Sequence, residues 1–180
     1  MSRELVAYDI PHRFQVSGIL DFPFGKRKPF VQKGIGAAIL GGWQLSYSGN
    51  IQSGTPIPLP GGYSMFGDPS LPSDQQTLNH WFNTTPSMWV PLPPDTLRTV
   101  KLYSNTIRRN TAPQFSSSLI RNFRITERQK FQFKLSAFNL ANTPIFGNPN
   151  TTPSSPLFGV VPITQINLPR AMELGFRYSF

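Results

Sequence analysis

Few side chains in this sequence are suited to acid–base, nucleophilic or metal chemistry. Its 180 residues include no cysteine, two histidines and eight carboxylates, which excludes a disulfide framework, a thiolate zinc site and a cysteine nucleophile. His12 and His80 have no partner histidine or carboxylate at ligand spacing, and the serines at 116–118 lack the context of a nucleophile elbow. We therefore expect no catalytic site, no cofactor and no metal, and predict that the protein is not an enzyme.

The positive charge is the next feature that bears on function. A formal net charge of +9 is typical of many nucleic-acid-binding proteins. The densest basic cluster is Lys26-Arg27-Lys28 with Lys33, and Arg108-Arg109 is a smaller pair. No helix-turn-helix, zinc-finger or RNA-recognition signature accompanies them, so we expect no nucleic-acid partner. The first cluster is interpreted as a solvated turn or, in a membrane barrel, as a turn near anionic headgroups.

The prolines show which elements must position these side chains. All 19 prolines lie outside five segments, residues 12–22, 43–52, 115–125, 130–139 and 171–180. Proline has no amide hydrogen for a sheet ladder, so its absence from these windows predicts strands. The connections 53–114 and 140–170 are rich in Pro, Gly, Ser, Thr and Asn, which predicts long loops.

The five segments alternate polar and apolar residues with the period of a half-buried strand. The second is the most regular, since every odd position from Trp43 to Ile51 is apolar or glycine and every even position is polar. Ile120 and Arg121 are out of pattern in the third segment. No segment has a 3.6-residue apolar stripe of helical length. The predicted fold class is therefore all-β.

Strand and connection lengths distinguish two all-β architectures. Each segment has about 10 residues, close to the ~9–11 that cross a bilayer when tilted. A soluble β-sandwich usually has turn signals every ~8–12 residues, and two connections here are much longer. In an outer-membrane barrel, short turns lie on one side and long loops on the other. In chain order, the four connections have intermediate, long, short and long lengths. If the C-terminus faces the periplasm, both long loops are therefore extracellular.

Polar and aromatic positions then acquire candidate roles. In a barrel, the polar strand faces line the lumen; the candidates are Gln44, Ser46, Ser48, Gln132, Lys134 and Arg177. The longest loop carries Tyr63, Phe66, Trp81 and Trp89. These rings either contact a carbohydrate or peptide ligand or pack the loop against itself, and the sequence leaves both interpretations open.

The last ten residues resemble the assembly signal of bacterial outer-membrane proteins. A terminal phenylalanine follows apolar residues at alternate positions, so one face suits lipid and one edge stays open for pairing with the barrel-assembly machinery. The residues concerned are Met172, Leu174, Phe176, Tyr178 and Phe180.

Five further motifs lie along the chain: Asp9-Ile-Pro-His-Arg-Phe14 before Asp21-Phe-Pro-Phe-Gly-Lys26, Leu40-Gly-Gly-Trp-Gln44, Gln52-Ser-Gly-Thr-Pro56, Arg121-Asn-Phe-Arg-Ile-Thr-Glu-Arg128, and Phe138-Asn-Leu140 with Phe146-Gly-Asn-Pro-Asn150. They resemble the barrel of TonB-dependent outer-membrane receptors, in the Oar-like sub-group with a carboxypeptidase-regulatory-like domain. The order of the motifs along the chain matches that family's last strands, although residues 63–100 match none of its motifs.

The resemblance implies an energised uptake system in the outer membrane of a Gram-negative-type bacterium. Such receptors have a barrel of about 22 strands with a plugged lumen. Five strands are too few to close a barrel, which needs about eight. We therefore expect residues 1–180 to be a partial barrel domain, a C-terminal fragment that lacks the plug and most strands, with Met1 as an internal start.

The partners implied are outer-membrane lipid, the barrel-assembly machinery, the TonB system through the missing plug domain, and an unknown extracellular ligand. The alternative from another class is a soluble β-sandwich that serves as a binding or adhesion module.

Overall fold

The computed structural model describes residues 4–180, so Met1 and its expected role as a start lie outside the described residues. Its largest element is an antiparallel sheet of five long strands in the order β1-β2-β7-β8-β9. A 3₁₀ turn spans Pro86–Met88. In chain order, the helix and strands are β1 (Arg13–Asp21), α1 (Gly34–Leu40), β2 (Trp43–Gln52), β3 (Pro56–Pro58), β4 (Tyr63–Met65), β5 (Trp89–Pro91), β6 (Tyr103–Arg108), β7 (Gln114–Arg124), β8 (Lys130–Phe138) and β9 (Ala171–Ser179).

The long strands confirm the all-β prediction, and each predicted segment begins and ends within one residue of a strand. Every long strand lies beside the next long strand of the chain, as in an up-and-down barrel. Within the described residues, β1 and β9 form the two edges and the sheet is open.

Cross-strand register brings the apolar positions of neighbouring strands together. Leu45 of β2 lies opposite Leu119 of β7, which lies opposite Leu135 of β8, which in turn lies opposite Leu174 of β9. Directly opposed residues share a face of an antiparallel sheet. One face is therefore apolar across four strands, and the other carries the polar positions, for example Ser46 opposite Ser118.

One short helix accompanies the strands. The seven residues of α1 lie between β1 and β2. Seven residues make only about two turns, too few for an apolar stripe to be recognised above chance. Within residues 4–180, no helix is long and apolar enough to span a membrane.

The two long connections were predicted to be loops. The structure shows that they are more ordered than that. Residues 4–13, 52–112 and 144–167 form one compact unit, here called the loop unit, and the five-stranded sheet belongs to the other. The loop unit contains β3 paired with β6 and β4 paired with β5. Its core is formed by the buried side chains Ile57, Leu59, Phe82, Trp89, Val100 and Ile107.

Prolines hid the short strands of the loop unit from the sequence pattern. Pro56, Pro58 and Pro91 lie inside or at the ends of β3 and β5. These strands belong to two-stranded sheets, where an edge can lack an amide hydrogen without loss of a ladder bond. Strands of three residues also show no alternation.

Arg108 joins two segments of the loop unit that are distant in sequence. Its guanidinium pairs with the Asp9 carboxylate at 2.7 Å and donates to the carbonyl oxygen of Gly54 at 3.0 Å. Asp9 precedes β1 and Gly54 follows β2. Arg108, which the sequence suggested only as a basic loop residue, thus ties the start of one long strand to the end of the next.

Asn139 ends β8 in a turn that generates a testable prediction. Its φ of 48° is in the left-handed region, which asparagine tolerates better than most residues. Its buried side chain donates to the carbonyl oxygens of Thr143 at 3.2 Å and Leu168 at 3.0 Å. Asn139→Ala should lower the free energy of unfolding by about 2 kcal/mol, because two hydrogen bonds of about 1 kcal/mol each are lost.

Urea unfolding of the full-length protein in detergent measures this change. The matched control is Asn148→Ala, at an exposed position of the same connection, which should shift the midpoint much less. Equal midpoints for the two variants would contradict the structural role of Asn139.

Candidate functional site

The polar face of the sheet carries all six predicted lumen residues. Ser46 and Ser48 of β2 lie opposite Ser118 and Ser116 of β7, and Lys134 of β8 lies opposite Ile120. Gln132 lies opposite both Asn122 and Arg177, and Gln44 opposite Ile120. The structure therefore places these residues on one surface, although their role as lumen lining stays a prediction.

Hydrogen bonds between strands hold this polar face together. Gln44 donates to Asp21 of β1 at 2.9 Å, and Gln132 donates to the Asn122 side chain at 2.9 Å. The hydroxyl groups of Ser118 and Ser136 lie 2.9 Å apart. A face lined by mutually satisfied polar groups is compatible with water and costs too much to bury against acyl chains.

The apolar face ends in a group of rings, here called the aromatic belt, formed by Trp43, Phe123, Phe131, Phe133 and Phe176. The Trp43 and Phe133 rings meet edge to face at 5.8 Å between centroids, and Phe133 meets Phe176 at 5.7 Å. Phe131 connects Phe176 to Phe123 at 5.9 and 6.0 Å. The belt lies at the end of the strands where the short turn 125–129 joins β7 to β8. Such belts mark the water interface of membrane barrels.

Arg121 is the exception on this apolar face. Its Cζ lies 5.3 Å from the Trp43 ring centroid and 4.4 Å from that of Phe123, so the charge packs against aromatic faces. The sequence pattern marked Arg121 as irregular without indicating these partners. Its neighbour Ile120 is the matching exception on the polar face.

The C-terminal strand keeps the five assembly-signal residues exposed. Met172, Leu174, Phe176 and Tyr178 lie on the apolar face of β9, opposite residues 137, 135, 133 and 131 of β8. Phe180 follows the end of β9 and is 93% exposed. Only one side of β9 is paired within the described residues, so its other edge is open for pairing. The assembly role itself stays a prediction.

The loop unit contains a groove of about 410 Å³. Its lining includes Leu59, Met65, Asp68, Tyr103, Ser104 and Thr106. Hydrogen bonds from the Ser70 amide and the Thr106 hydroxyl, the latter at 2.7 Å, hold the pKa of the Asp68 carboxyl below its usual value. The carboxylate therefore remains charged at neutral pH beside apolar walls.

The loop aromatics divide between the two open interpretations. Trp89 is buried in the core, and Tyr63 and Trp81 pack against it. The ring centroid of Phe158, from the last loop, lies 5.3 Å from the ring centroids of Phe82 and Trp89. Phe66, next to the groove residue Met65, is 61% exposed. Self-packing thus accounts for three of the four rings, and Phe66, the most exposed of the four, is accessible to a ligand.

In the described part of the chain, no three His, Asp or Glu side chains come together as a metal site requires. The expectations of no catalytic role and no nucleic-acid partner stay predictions. What the arrangement does supply is a wall with one lipid-compatible face and one water-compatible face.

A family model for an outer membrane beta barrel domain matches residues 1–173. The chain belongs to that family. No curated protein and no solved structure matches it. Membership locates the protein in the outer membrane and makes the five-stranded sheet part of a barrel wall. It identifies neither the substrate nor the energy source.

The sandwich alternative loses its support at this point. A sandwich buries one face of each sheet, whereas Leu174 and Phe176 on the apolar face are 58% and 63% exposed. Such exposure of large apolar side chains is costly in water and is expected in a wall that contacts acyl chains.

The two faces generate a prediction that neighbouring residues of β2 can test. Because the protein has no cysteine, single cysteines can be labelled without background. In native outer membranes, Ser46→Cys should react with a membrane-impermeant maleimide at least tenfold faster than Leu45→Cys, since residue 46 faces water and residue 45 faces lipid. Equal rates at both positions would contradict the assignment of the faces.

Proposed function

We propose that this domain is the C-terminal barrel portion of a TonB-dependent receptor that imports a bulky ligand across the outer membrane. The observation that carries the proposal is where the five receptor-like motifs occur in the fold. Four of them, and the first part of the fifth, lie at a strand boundary or turn of the wall, and two are linked through Arg108.

The motif positions follow the strand boundaries. Asp9-Ile-Pro-His-Arg-Phe14 leads into β1, and Gln52-Ser-Gly-Thr-Pro56 leaves β2. Asp9, in the motif before β1, and Gly54, in the motif after β2, both bind the Arg108 guanidinium. Phe138-Asn-Leu140 contains Asn139, whose left-handed backbone and paired side chain end β8. These contacts give the motif residues structural roles at the ends of strands. Such roles support the proposal that the resemblance reflects a shared barrel architecture.

In this proposal, further strands complete the barrel and a plug fills its lumen. The open edges of β1 and β9 pair with such strands, which removes the exposed backbone groups that edges leave. The six lumen candidates then face the plug and the transported ligand. The groove around Asp68 and the accessible Phe66 ring form the first contact with that ligand outside the cell.

Coupling to the inner membrane tests the receptor assignment. When the full-length protein is cross-linked with formaldehyde in intact cells and purified, the TonB energy-transducing protein should co-purify at several times the level found with a porin of the same membrane. If the TonB protein co-purifies at a level no higher than with the porin, the receptor proposal is contradicted and the assignment to a membrane barrel is unaffected.

The assembly signal provides a separate prediction. Deleting Phe180 from the full-length protein should lower its outer-membrane level several-fold, because the last strand then lacks its terminal aromatic anchor. Quantitative immunoblotting of outer-membrane fractions measures the change. Phe180→Tyr is the matched control and should retain most of the level, whereas unchanged abundance of the deletion variant would contradict the assembly role.

A further inference from the structure

The connection between β1 and β2, residues 22–42, combines cationic and exposed apolar side chains. It contains Lys26, Arg27, Lys28 and Lys33 and has no aspartate or glutamate. In α1, Ile35 is 79% exposed and Ile39 is 59% exposed. Phe30, Val31 and Leu40 are exposed as well. We propose that this connection is a binding surface for anionic phospholipid headgroups at the edge of the barrel.

Two side chains of the apolar face hold the end of α1. The Trp43 indole donates to the carbonyl oxygen of Ile39 at 2.9 Å. The Arg121 guanidinium donates to the same oxygen at 2.8 Å and also to the Ala38 carbonyl. Trp43 and Arg121 lie opposite each other in the sheet. Because both belong to the apolar face, α1 ends at the rim of the lipid-facing surface and not on the polar face.

The same contacts define the depth of α1 in the membrane. Trp43 is a member of the aromatic belt, and Arg121 stacks on Trp43 and Phe123 of that belt. Aromatic belts lie at headgroup level. At this depth, the apolar side chains of α1 reach the acyl boundary while nearby cations meet lipid phosphates, as in helices that lie in the interface.

The basic residues are held close to α1 by a compact turn. The amide of Phe30 donates to the Pro23 carbonyl at 3.0 Å, and the Gly25 amide donates to the Phe30 carbonyl at 3.1 Å. A Cβ on Gly25 would lie 2.8 Å from the Cα of Gly41, so only glycine permits this close approach of the two ends of the connection.

The distribution of charge favours an anionic partner. Lys28 forms a partly exposed pair with Asp21 at 3.4 Å. Lys26, Arg27 and Lys33 are exposed, and the connection has no carboxylate of its own. Three exposed cations therefore remain beside the pair that Lys28 forms with Asp21. Each such cation near an anionic membrane surface strengthens lipid binding by about fivefold.

The inference rests on the proposed function only in placing this connection on the phospholipid side of the outer membrane. The test uses the full-length protein with a single fluorophore on Ile35→Cys, reconstituted in vesicles of phosphatidylcholine and phosphatidylglycerol. Quenching by brominated phosphatidylglycerol, compared with brominated phosphatidylcholine, gives the relative affinity for the anionic lipid at that position. The same label on Leu174→Cys reports contact with lipid at the sheet itself.

We expect the relative affinity at residue 35 to be at least about fivefold and that at residue 174 to be close to one. Lys26→Gln, Arg27→Gln and Lys33→Gln should each reduce the value at residue 35, and together they should bring it close to one. The matched control Lys101→Gln, at an exposed position of the loop unit, should leave it unchanged.

Quenching at residue 174 without quenching at residue 35 would overturn the inference and leave the barrel intact. Quenching at residue 35 without anionic preference, or a preference that survives the triple variant, would also overturn it. In either case the cations would be available to a different partner, such as an acidic protein. Failure at both residues would remove the membrane wall and the inference together, whereas failure to co-purify TonB would affect the receptor proposal alone.

Discussion

Cross-strand register is the constraint on which the rest of this structure depends. Side chains alternate between faces with a period of two, so a slip of one residue in one strand would move its whole apolar set to the other face. The observed pairing keeps Leu45, Leu119, Leu135 and Leu174 in one row. With that row in place, the polar residues of the same strands have only the opposite face to occupy. A single sheet can thus contact lipid on one side and water on the other.

The residues that break the alternation are informative for the same reason. Arg121 occupies an apolar-face position near the end of β7, where two rings and the last carbonyls of α1 surround its guanidinium. A long cationic side chain can satisfy its charge at the interface while its stem packs on apolar neighbours. An irregular position close to a strand end therefore marks the border of the membrane, whereas the same irregularity at mid-strand would be costly.

The sheet could be predicted from the sequence because its signal is local. Alternation within ten residues and the exclusion of proline both report on a strand without knowledge of its partners. The loop unit could not be predicted in this way. Its strands β3 and β5 have three residues each and contain proline, and its core joins residues such as Ile57 and Phe82 that no periodic pattern connects. The hydrogen bonds of Arg108 and Asn139 likewise depend on backbone atoms that composition does not reveal.

Candidate functional residues follow the same division. The lumen and assembly-signal positions could be selected because alternation assigns each residue to a face. The groove around Asp68 could not, since its lining comes from separate short strands and turns. The aromatic residues of the longest loop were the available signal, and the sequence left open whether they form a core or a ligand site.

The loop unit is built from chain segments that are synthesised at different times. Phe158, which contacts Phe82 and Trp89, is made only after β7 and β8 have been completed. Contacts of such long sequence separation form late because the intervening chain must first lose its freedom. The core of this unit therefore remains incomplete until the connection between β8 and β9 has been made. The loop unit thus needs the connection that precedes β9, but not β9 itself, to complete its core.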